Sequence, residues 1–261
     1  MQAALTIAGS DPCGGAGIQA DLKTFQAHGI FGLSVVTAVT VQNTQKVYSI
    51  HEVPPQNVYD QIICLFDDIK IHAVKIGMVA GLVLVETIAN ALKTVNLPYV
   101  VLDPVMISKS GYSLLEKDAI DAMVKKLFPL CEVVTPNIPE AEALTGKKIN
   151  SKDKMKAAAE AILKLGPQKV IVKGGHLGTD FAVDIVYDGL TFKELQSKRI
   201  KTVNTHGSGC TFSSAIAANM AKGIDFFDSA VNAKEYITKA IKYSLNIGQG
   251  HGPLNHFFDL K

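Results

Sequence analysis

The sequence predicts an α/β fold in which helices cover both faces of a mostly parallel sheet. Short runs rich in β-branched residues, such as L-S-V-V-T-A-V-T-V-Q at 33–42 and K-V-I-V-K at 169–173, alternate with longer segments whose apolar residues recur at helical spacing. Glycine turns punctuate the alternation, as at Gly14-Gly15-Ala16-Gly17 and Gly174-Gly175. No linker, composition shift, internal repeat or low-complexity stretch divides the 261 residues, so the chain reads as one domain, 1–261, with right-handed crossovers. Hydrophobic residues make up 48% of it, ample for a core of that size.

Residues 3–9, A-A-L-T-I-A-G, make a first strand. It breaks at Ser10-Asp11-Pro12 and the glycines of 14–17, after which Ile18, Leu22 and Phe25 keep helical period. That turn fits neither G-x-G-x-x-G nor G-x-x-x-x-G-K-[ST], because Gly15 stands where the second motif needs lysine. It reads either as a packing turn or, with Asp21 beside it, as the lining of a ligand crevice at the end of the strand. A buried strand over 33–42 ends at Gln42-Asn43-Thr44, and an alternating strand over 45–53 stops at Pro54-Pro55. A helix follows over 56–69, then a strand over 73–76, a break at Gly77-Met78 and an apolar helix over 81–95. Y-V-V-L-D-P-V at 99–105 delivers Asp103 to a strand end, where Pro104 stops the ladder. Segment 107–113 has the composition of a flexible lid.

Strand 131–135 leads into T-P-N-I-P-E-A-E-A-L-T-G, a loop and short helix with Asn137 and Glu140 three apart on one face. Ser151 and Asp153 open a helix with Met155, Ala159, Ile162 and Leu165 inward, ended by Gly166-Pro167. Strand 169–173 presents Lys173 to the glycines after it, and two further strands meet as a hairpin at Asp188-Gly189. A last helix over 225–247 precedes G-Q-G-H-G-P-L-N-H-F-F.

Between the hairpin and that last helix lies T-V-N-T-H-G-S-G-C-T-F-S-S-A-I-A-A-N-M-A-K-G at 202–223, around which the functional reading turns. Its polar, glycine-spaced half runs into a small-residue helix through Phe212, Ala215, Ile216 and Ala218 to Gly223. The amides of Gly207, Ser208, Gly209 and Cys210 then lack helical partners and face forward at the positive end of the dipole. Glycines let a phosphate approach such a backbone closely, so the stretch predicts an anion site suited to phosphoryl transfer, with Cys210 at its rim.

Composition excludes other classes. The 26 basic and 24 acidic side chains nearly balance and form no long run of one sign, which argues against a nucleic-acid surface. No apolar segment reaches the roughly 20 residues that span a bilayer, and no basic region precedes the first apolar run, so the protein is expected to be soluble, not secreted and without a membrane partner. Cys13, Cys64, Cys131 and Cys210 lie far apart with no C-x-x-C pair, which predicts neither a disulfide framework nor zinc-finger spacing and fits the cytoplasm.

Asp21, Gln42, Asp103, Asn137, Glu140, Lys173 and Cys210 share one property: each falls at or just past a predicted strand end, where open α/β sheets bind ligands. Any lone Asp, Asn or Glu among them reads better as a cap or turn residue. Seven together beside an anion-binding helix start do not.

Seven blocks occur in order: A-L-T-I-A-G-S-D-P at 4–12, G-G-A-G-I-Q-A-D-L-K-T-F at 14–25, V-K-I-G-M at 74–78, D-P-V-M at 103–106, T-P-N-I-P-E-A at 135–141, V-K-G-G-H at 172–176 and T-H-G-S-G-C-T at 205–211. With the tail G-H-G-P-L-N-H they make the chain resemble, over nearly its whole length, the hydroxymethylpyrimidine/phosphomethylpyrimidine kinases of thiamine biosynthesis, within the ribokinase-like superfamily. The resemblance implies a three-layer ribokinase-like fold and an ATP- and Mg²⁺-dependent kinase that phosphorylates a hydroxymethyl-aminopyrimidine and then its monophosphate. It also implies a homodimer. By the same resemblance Gln42 would bind the aminopyrimidine edge, and its amide offers a donor and an acceptor side by side. Gly9, Met78 and Val105 would border the ring, and Asp21 would hold the hydroxymethyl group. Lys173, Asn137, Asp103 and Thr205 would serve ATP, with Glu140 and Asp103 near Mg²⁺, which prefers oxygen ligands.

Gly207, Ser208, Gly209 and Cys210 would form the catalytic turn. Related sugar kinases carry aspartate in the slot of Cys210, and a helix N-terminus commonly lowers a thiol pKa, so Cys210 is expected to act as a base poised near neutrality. His206 reads either as a phosphate contact or as a loop residue bonded to a carbonyl, while His251 and His256 lack metal-ligand spacing. Cys13 stands where this family commonly has serine, and Ser208 where threonine or alanine is common. Three alternatives remain. A pyridoxal kinase shares the scaffold, though Gln42 matches an aminopyrimidine better than a phenolic pyridine. A pyrimidine-sensing module is opposed by the intact candidate site, and a dinucleotide oxidoreductase by the missing G-x-G-x-x-G.

Overall fold

The computed structural model describes residues 1–106, 116–175, 177 and 180–259, so the expected lid at 107–113 lies outside the described residues. Strand β1 (Ala3–Ser10) pairs in parallel with β2 (Phe31–Gln42) on one side and with β4 (Ala73–Ile76) on the other. The parallel ladder continues through β5 (Tyr99–Leu102), β6 (Val133–Val134) and β7 (Lys169–Val172). Antiparallel strands flank it: β3 (Val47–Glu52) on β2, and β8 (Phe181–Tyr187) followed by β9 (Phe192–Lys198) on β7. The order is β3-β2-β1-β4-β5-β6-β7-β8-β9, so the chain reverses its direction of travel across the sheet between β1 and β4.

Side-chain alternation along these strands separates two apolar layers. Leu5, Ile7, Val74, Ile76, Val100 and Leu102 face one layer, packed by α2 (Pro55–Asp68), α3 (Leu82–Lys93), α4 (Lys117–Ala122) and α6 (Lys152–Leu163). Ala4, Ala73, Val101, Val133 and Ile171 face the other, with α1 (Gly17–Ala27), α7 (Ser208–Ala221) and α8 (Phe226–Lys242). From Thr211 to Ala221 every residue of α7 is buried. Its alanines and serines, set between Phe212, Ile216 and Met220, let the neighbouring elements pack closely against it.

Polar residues break the apolar rule on the second face. Thr6 and Lys75, mid-strand on β1 and β4, are fully buried, and Lys75 pairs with Asp21 of α1 at 2.8 Å. A lone buried ammonium is untenable; this one is neutralised by the carboxylate, which also accepts from Thr6 and Ser214.

The structure corrects several sequence expectations. Strand 131–135 shrinks to Val133–Val134 and the last helix ends at Lys242 rather than 247, whereas β5 ends at Leu102 and leaves Asp103 just past the strand end, as expected. A helix absent from the sequence reading covers 117–130: α4 continues through a π turn, Met123–Leu127, and a 3₁₀ turn, Phe128–Leu130. Ala119, Ala122, Met123 and Leu127 have the helical spacing, but among the described residues no side chain caps the start and Pro129 interrupts the end, so the usual boundary signals are missing.

Candidate active site

The carboxyl ends of the parallel strands open into one cavity of about 630 Å³ at the point where the strand order reverses. Gly9 comes from β1, Gln42 from β2, Met78 follows β4, Asp103 and Val105 follow β5, Asn137 and Glu140 follow β6, and Lys173 follows β7. Thr205, His206 and Gly207 to Cys210 close it from the start of α7. Every residue expected to act in catalysis or binding lines this cavity except Asp21.

The turn before α7 has the expected form. Gly207, its N-cap, has φ +77, a left-handed conformation open to glycine at little cost. A Cβ there would also sit 1.8 Å from the Gly15 carbonyl oxygen, so this turn and the glycine loop after β1 touch backbone to backbone. The first regular helical bond runs from Thr211 N–H to the Gly207 carbonyl. The amides of Gly209 and Cys210 precede it and have no intrahelical carbonyl to meet. Ser208 corrects the expectation of four open amides, because its N–H donates to the Thr205 carbonyl at 3.3 Å.

Opposite this turn, Lys173 Nζ donates to Asp103 Oδ1 at 2.5 Å, and Thr135 Oγ1 donates to the same oxygen at 3.1 Å. Asp103 and Glu140 keep the Lys173 ammonium above its ordinary pKa although burial works against the charge. A Cβ on Gly209 would lie 3.0 Å from Asp103 Oδ2 and 3.3 Å from Lys173 Nζ, so glycine is what lets the helix start close on this pair. Asn137 and Glu140 form a reciprocal capping box on α5 (Ile138–Thr145): Asn137 Oδ1 accepts from Glu140 N–H at 2.9 Å, and Glu140 Oε2 accepts from Asn137 N–H at 2.8 Å. Burial pushes the Glu140 carboxyl up to about 7, with Lys173 opposing the rise. Two carboxylates facing one ammonium leave spare anionic oxygen, a donor set that suits the hard divalent ion accompanying a nucleotide.

At the other end, Gln42 Nε2 lies 3.4 Å from His206 Nε2, and Gln42 Oε1 accepts from Thr40 Oγ1 at 3.3 Å. His206 is buried, and its Nε2 lies 2.7 Å from Asp11 Oδ2, so the carbonyl-bonded loop histidine expected as one option is instead an imidazole on a carboxylate. Burial works to raise Asp11, but hydrogen bonds from His206 and Cys13 outweigh it and bring the carboxyl down to about 2. Burial and Asp11 together push the Cys13 thiol up to about 12. A Cβ on Gly9 would come within 2.3 Å of Met78 Cε, so the thioether lies directly over this glycine.

Two expectations are overturned here. Asp21 does not reach the cavity: it is fully buried between α1 and the sheet, held by Lys75, Thr6 and Ser214, and holds no substrate hydroxyl from there. Cys210 is not poised near neutrality. Burial pushes its thiol up to about 11, although the Lys75 charge and the Gly17 amide pull the other way. Sequence reasoning missed Asp11, Lys75 and the buried pair in which Lys234 Nζ donates to Asp184 Oδ2 at 2.7 Å along the cavity wall beyond Lys173. The lysine inside the apolar strand A-V-K-I was the available signal for the first ion pair; nothing comparable marks Lys234 on amphipathic α8.

Comparisons with known proteins identify the family of the chain. Residues 11–255 match the family model described as phosphomethylpyrimidine kinase. The chain is 48% identical over 260 residues to the hydroxymethylpyrimidine/phosphomethylpyrimidine kinase of Haemophilus influenzae, covering 97% of this chain and 96% of that one. It is also 48% identical to the thiamine biosynthesis bifunctional protein ThiED of Geobacter sulfurreducens, with 97% of this chain covered but only 51% of that protein. Among solved structures, an ADP complex of Bacillus subtilis pyridoxal kinase superposes with a TM-score of 0.91 at 39% identity, over 98% of each chain. Near-complete coverage at this identity, on a sheet whose strand ends converge on one helix start, has one reading: the chain belongs to the phosphomethylpyrimidine kinase family.

Proposed function

We propose that the chain, as one kinase domain over 1–261, transfers the γ-phosphoryl group of ATP to 4-amino-5-hydroxymethyl-2-methylpyrimidine and then to the resulting monophosphate. The continuity of one cavity supports this most directly. It runs from the amide of Gln42, past Met78 and Val105, to the Gly209 and Cys210 amides and on to Lys173. An aminopyrimidine bonded to Gln42, with Gly9 and Met78 against its face, directs its substituent toward the helix start. The transferring phosphoryl group meets the open amides there, and they stabilise the charge that develops on it. Lys173, held by Asp103, supplies a fixed positive charge, and Asn137 and Thr205 complete the nucleotide side. Glu140 and Asp103 would hold Mg²⁺, which supplies neutralisation of phosphate charge. A homodimer, implied by the resemblance, would cover the exposed apolar side chains of Val39, Val41 and Tyr48 on β2 and β3.

A pyridoxal kinase is the second reading, favoured by the close superposition on the Bacillus subtilis enzyme. The neighbourhood of Gln42 distinguishes the two substrates, because a site built to hydrogen-bond a particular edge leaves its polar groups unpaired with the wrong ligand. Purified protein assayed on both acceptors decides between them. We expect kcat/KM for the hydroxymethylpyrimidine to exceed that for pyridoxal by about 100-fold or more, with Gln42→Ala narrowing the gap. Equal efficiency on both acceptors, or an unchanged ratio in Gln42→Ala, overturns the assignment of Gln42.

A further inference from the structure

Asp11, Cys13 and His206 meet on the cavity wall, where the loop after β1 touches the turn before α7. His206 Nε2 lies 2.7 Å from Asp11 Oδ2 and 3.6 Å from Cys13 Sγ, and Cys13 Sγ donates to Asp11 Oδ1 at 2.9 Å. An imidazole nitrogen, a sulfur and a carboxylate oxygen therefore lie within 4.8 Å of one another. Zinc bonded at about 2.0–2.3 Å in a tetrahedron sets its ligands roughly 3.3–3.7 Å apart, so these atoms need to spread by less than about 1 Å to surround an ion. Asp11 is already oriented: its carboxylate accepts from the amides of Cys13, Gly15 and Ala16 at 3.0, 3.2 and 2.8 Å. Such backbone support is what outer-shell bonds provide at metal centres. Asp11 and His206 both line the cavity, which leaves room for water or a ligand as fourth donor.

We propose that Asp11, Cys13 and His206 form a binding site for a borderline-soft divalent cation of the zinc class, separate from the Mg²⁺ position at Glu140 and Asp103. The donor set selects it. Sulfur and imidazole favour zinc over magnesium, whereas the Glu140 end offers oxygen alone. On binding, the Cys13 S–H bond breaks, its proton passes to solvent and a sulfur–metal bond forms. Nε2 of His206 gives its lone pair to the ion while the ring proton resides on Nδ1. A metal on Nε2 replaces the contact to Gln42, so a filled site alters the end of the cavity assigned to the pyrimidine. The metal site itself does not depend on that assignment.

Calorimetric titration with Zn²⁺, and titration with Cd²⁺ followed by the ultraviolet thiolate-to-metal band, test the proposal on full-length protein without ATP or acceptor. We expect one ion per chain. Cys13→Ser should weaken binding by at least about tenfold and remove the band, and Cys210→Ala should leave both unchanged. Serine keeps a hydroxyl donor for Asp11, and an unshifted melting curve establishes that Cys13→Ser is folded. Absence of stoichiometric binding overturns the proposal. So does a band that survives Cys13→Ser and disappears in Cys210→Ala or in Cys64→Ser.

Discussion

Cys210 sits where two influences on a thiol oppose each other. Its place in the first turn of α7 favours the thiolate, but its burial favours the thiol, and burial wins, with the pKa pushed up to about 11. A base of that pKa is scarce at pH 7 and gains about tenfold in thiolate for each unit of pH. The two acceptors differ in their need for it: an alcohol must lose a proton, whereas a phosphate monoester with a second pKa near 6 is already ionised. If Cys210 takes the alcohol proton, kcat/KM for the first phosphorylation should climb between pH 7.5 and 9.5 while that for the second stays nearly flat. Cys210→Ala should slow the first step by about 100-fold, abolish its rise with pH and leave the second within a few fold. Steady-state kinetics on each acceptor measure this. Equal losses in both steps would leave Cys210 as a backbone position of the anion site and nothing more. The buried residues beneath it teach a related lesson. Asp21 looked like a site residue because it follows a strand end, and only the ammonium of Lys75 on the neighbouring strand shows that its charge is already satisfied. Sequence spacing reports which strand end a carboxylate is near, but not which way its helix turns it.

Helix α5 joins stability to the site. Pro139 and the Asn137–Glu140 box fix its start, and Gly146 in left-handed conformation ends it, so the boundary signals on both sides were legible in T-P-N-I-P-E-A-E-A-L-T-G. What the spacing did not reveal is that the two side chains bond each other's backbone, so that Glu140 is aimed by Asn137. Asn137→Ala removes the cap and should cost about 1 kcal/mol in denaturant unfolding. It should also weaken ATP binding in the presence of Mg²⁺ more than in its absence, because the first turn that carries Glu140 loses the bond from the Glu140 N–H to Asn137 Oδ1 and loosens. Asn137→Asp restores the cap acceptor and should recover the stability. A purely structural role for Asn137 predicts the same loss of affinity with and without Mg²⁺. The helix over 117–130 is the counterexample: its apolar spacing was present, yet without a cap and with a π turn inside it the pattern offered no boundary to read.

At the scale of the whole molecule, the parallel sheet was legible because both its faces are buried, so each strand announces itself as a β-branched run. The arrangement that creates the cavity was not. It arises from the reversal of strand order between β1 and β4, and no local pattern encodes that reversal. The closing tail is equally non-local. His206 N–H donates to the Gly252 carbonyl, Leu245 N–H to that of Pro253, and Tyr236 Oη lies 3.1 Å from His256 Nδ1, so residues 252–256 fasten α8 to the turn before α7. His256 Nε2 is buried without a hydrogen-bond partner among the described residues, and burial, helped by the charges of Lys23 and His28, lowers the pKa of the imidazole to about 4. Burial lowers His28, packed on the same tyrosine, in the same direction. A histidine lowered in this way is neutral when folded and takes its proton on unfolding. The stability it contributes is therefore intact above about pH 6.5 and drains away as pH falls toward 4, by about 3 kcal/mol at most for His256. For a chain of this size that moves Tm by roughly 6–12 °C. Asp11, held near 2, loses its contribution only below pH 4, so the two windows separate. Melting curves from pH 7.5 to 4 should show this fall in the wild type and a shallower one in His256→Gln, whose amide cannot titrate. Parallel curves for the two proteins would mean that the tail is not what makes the fold sensitive to mild acid.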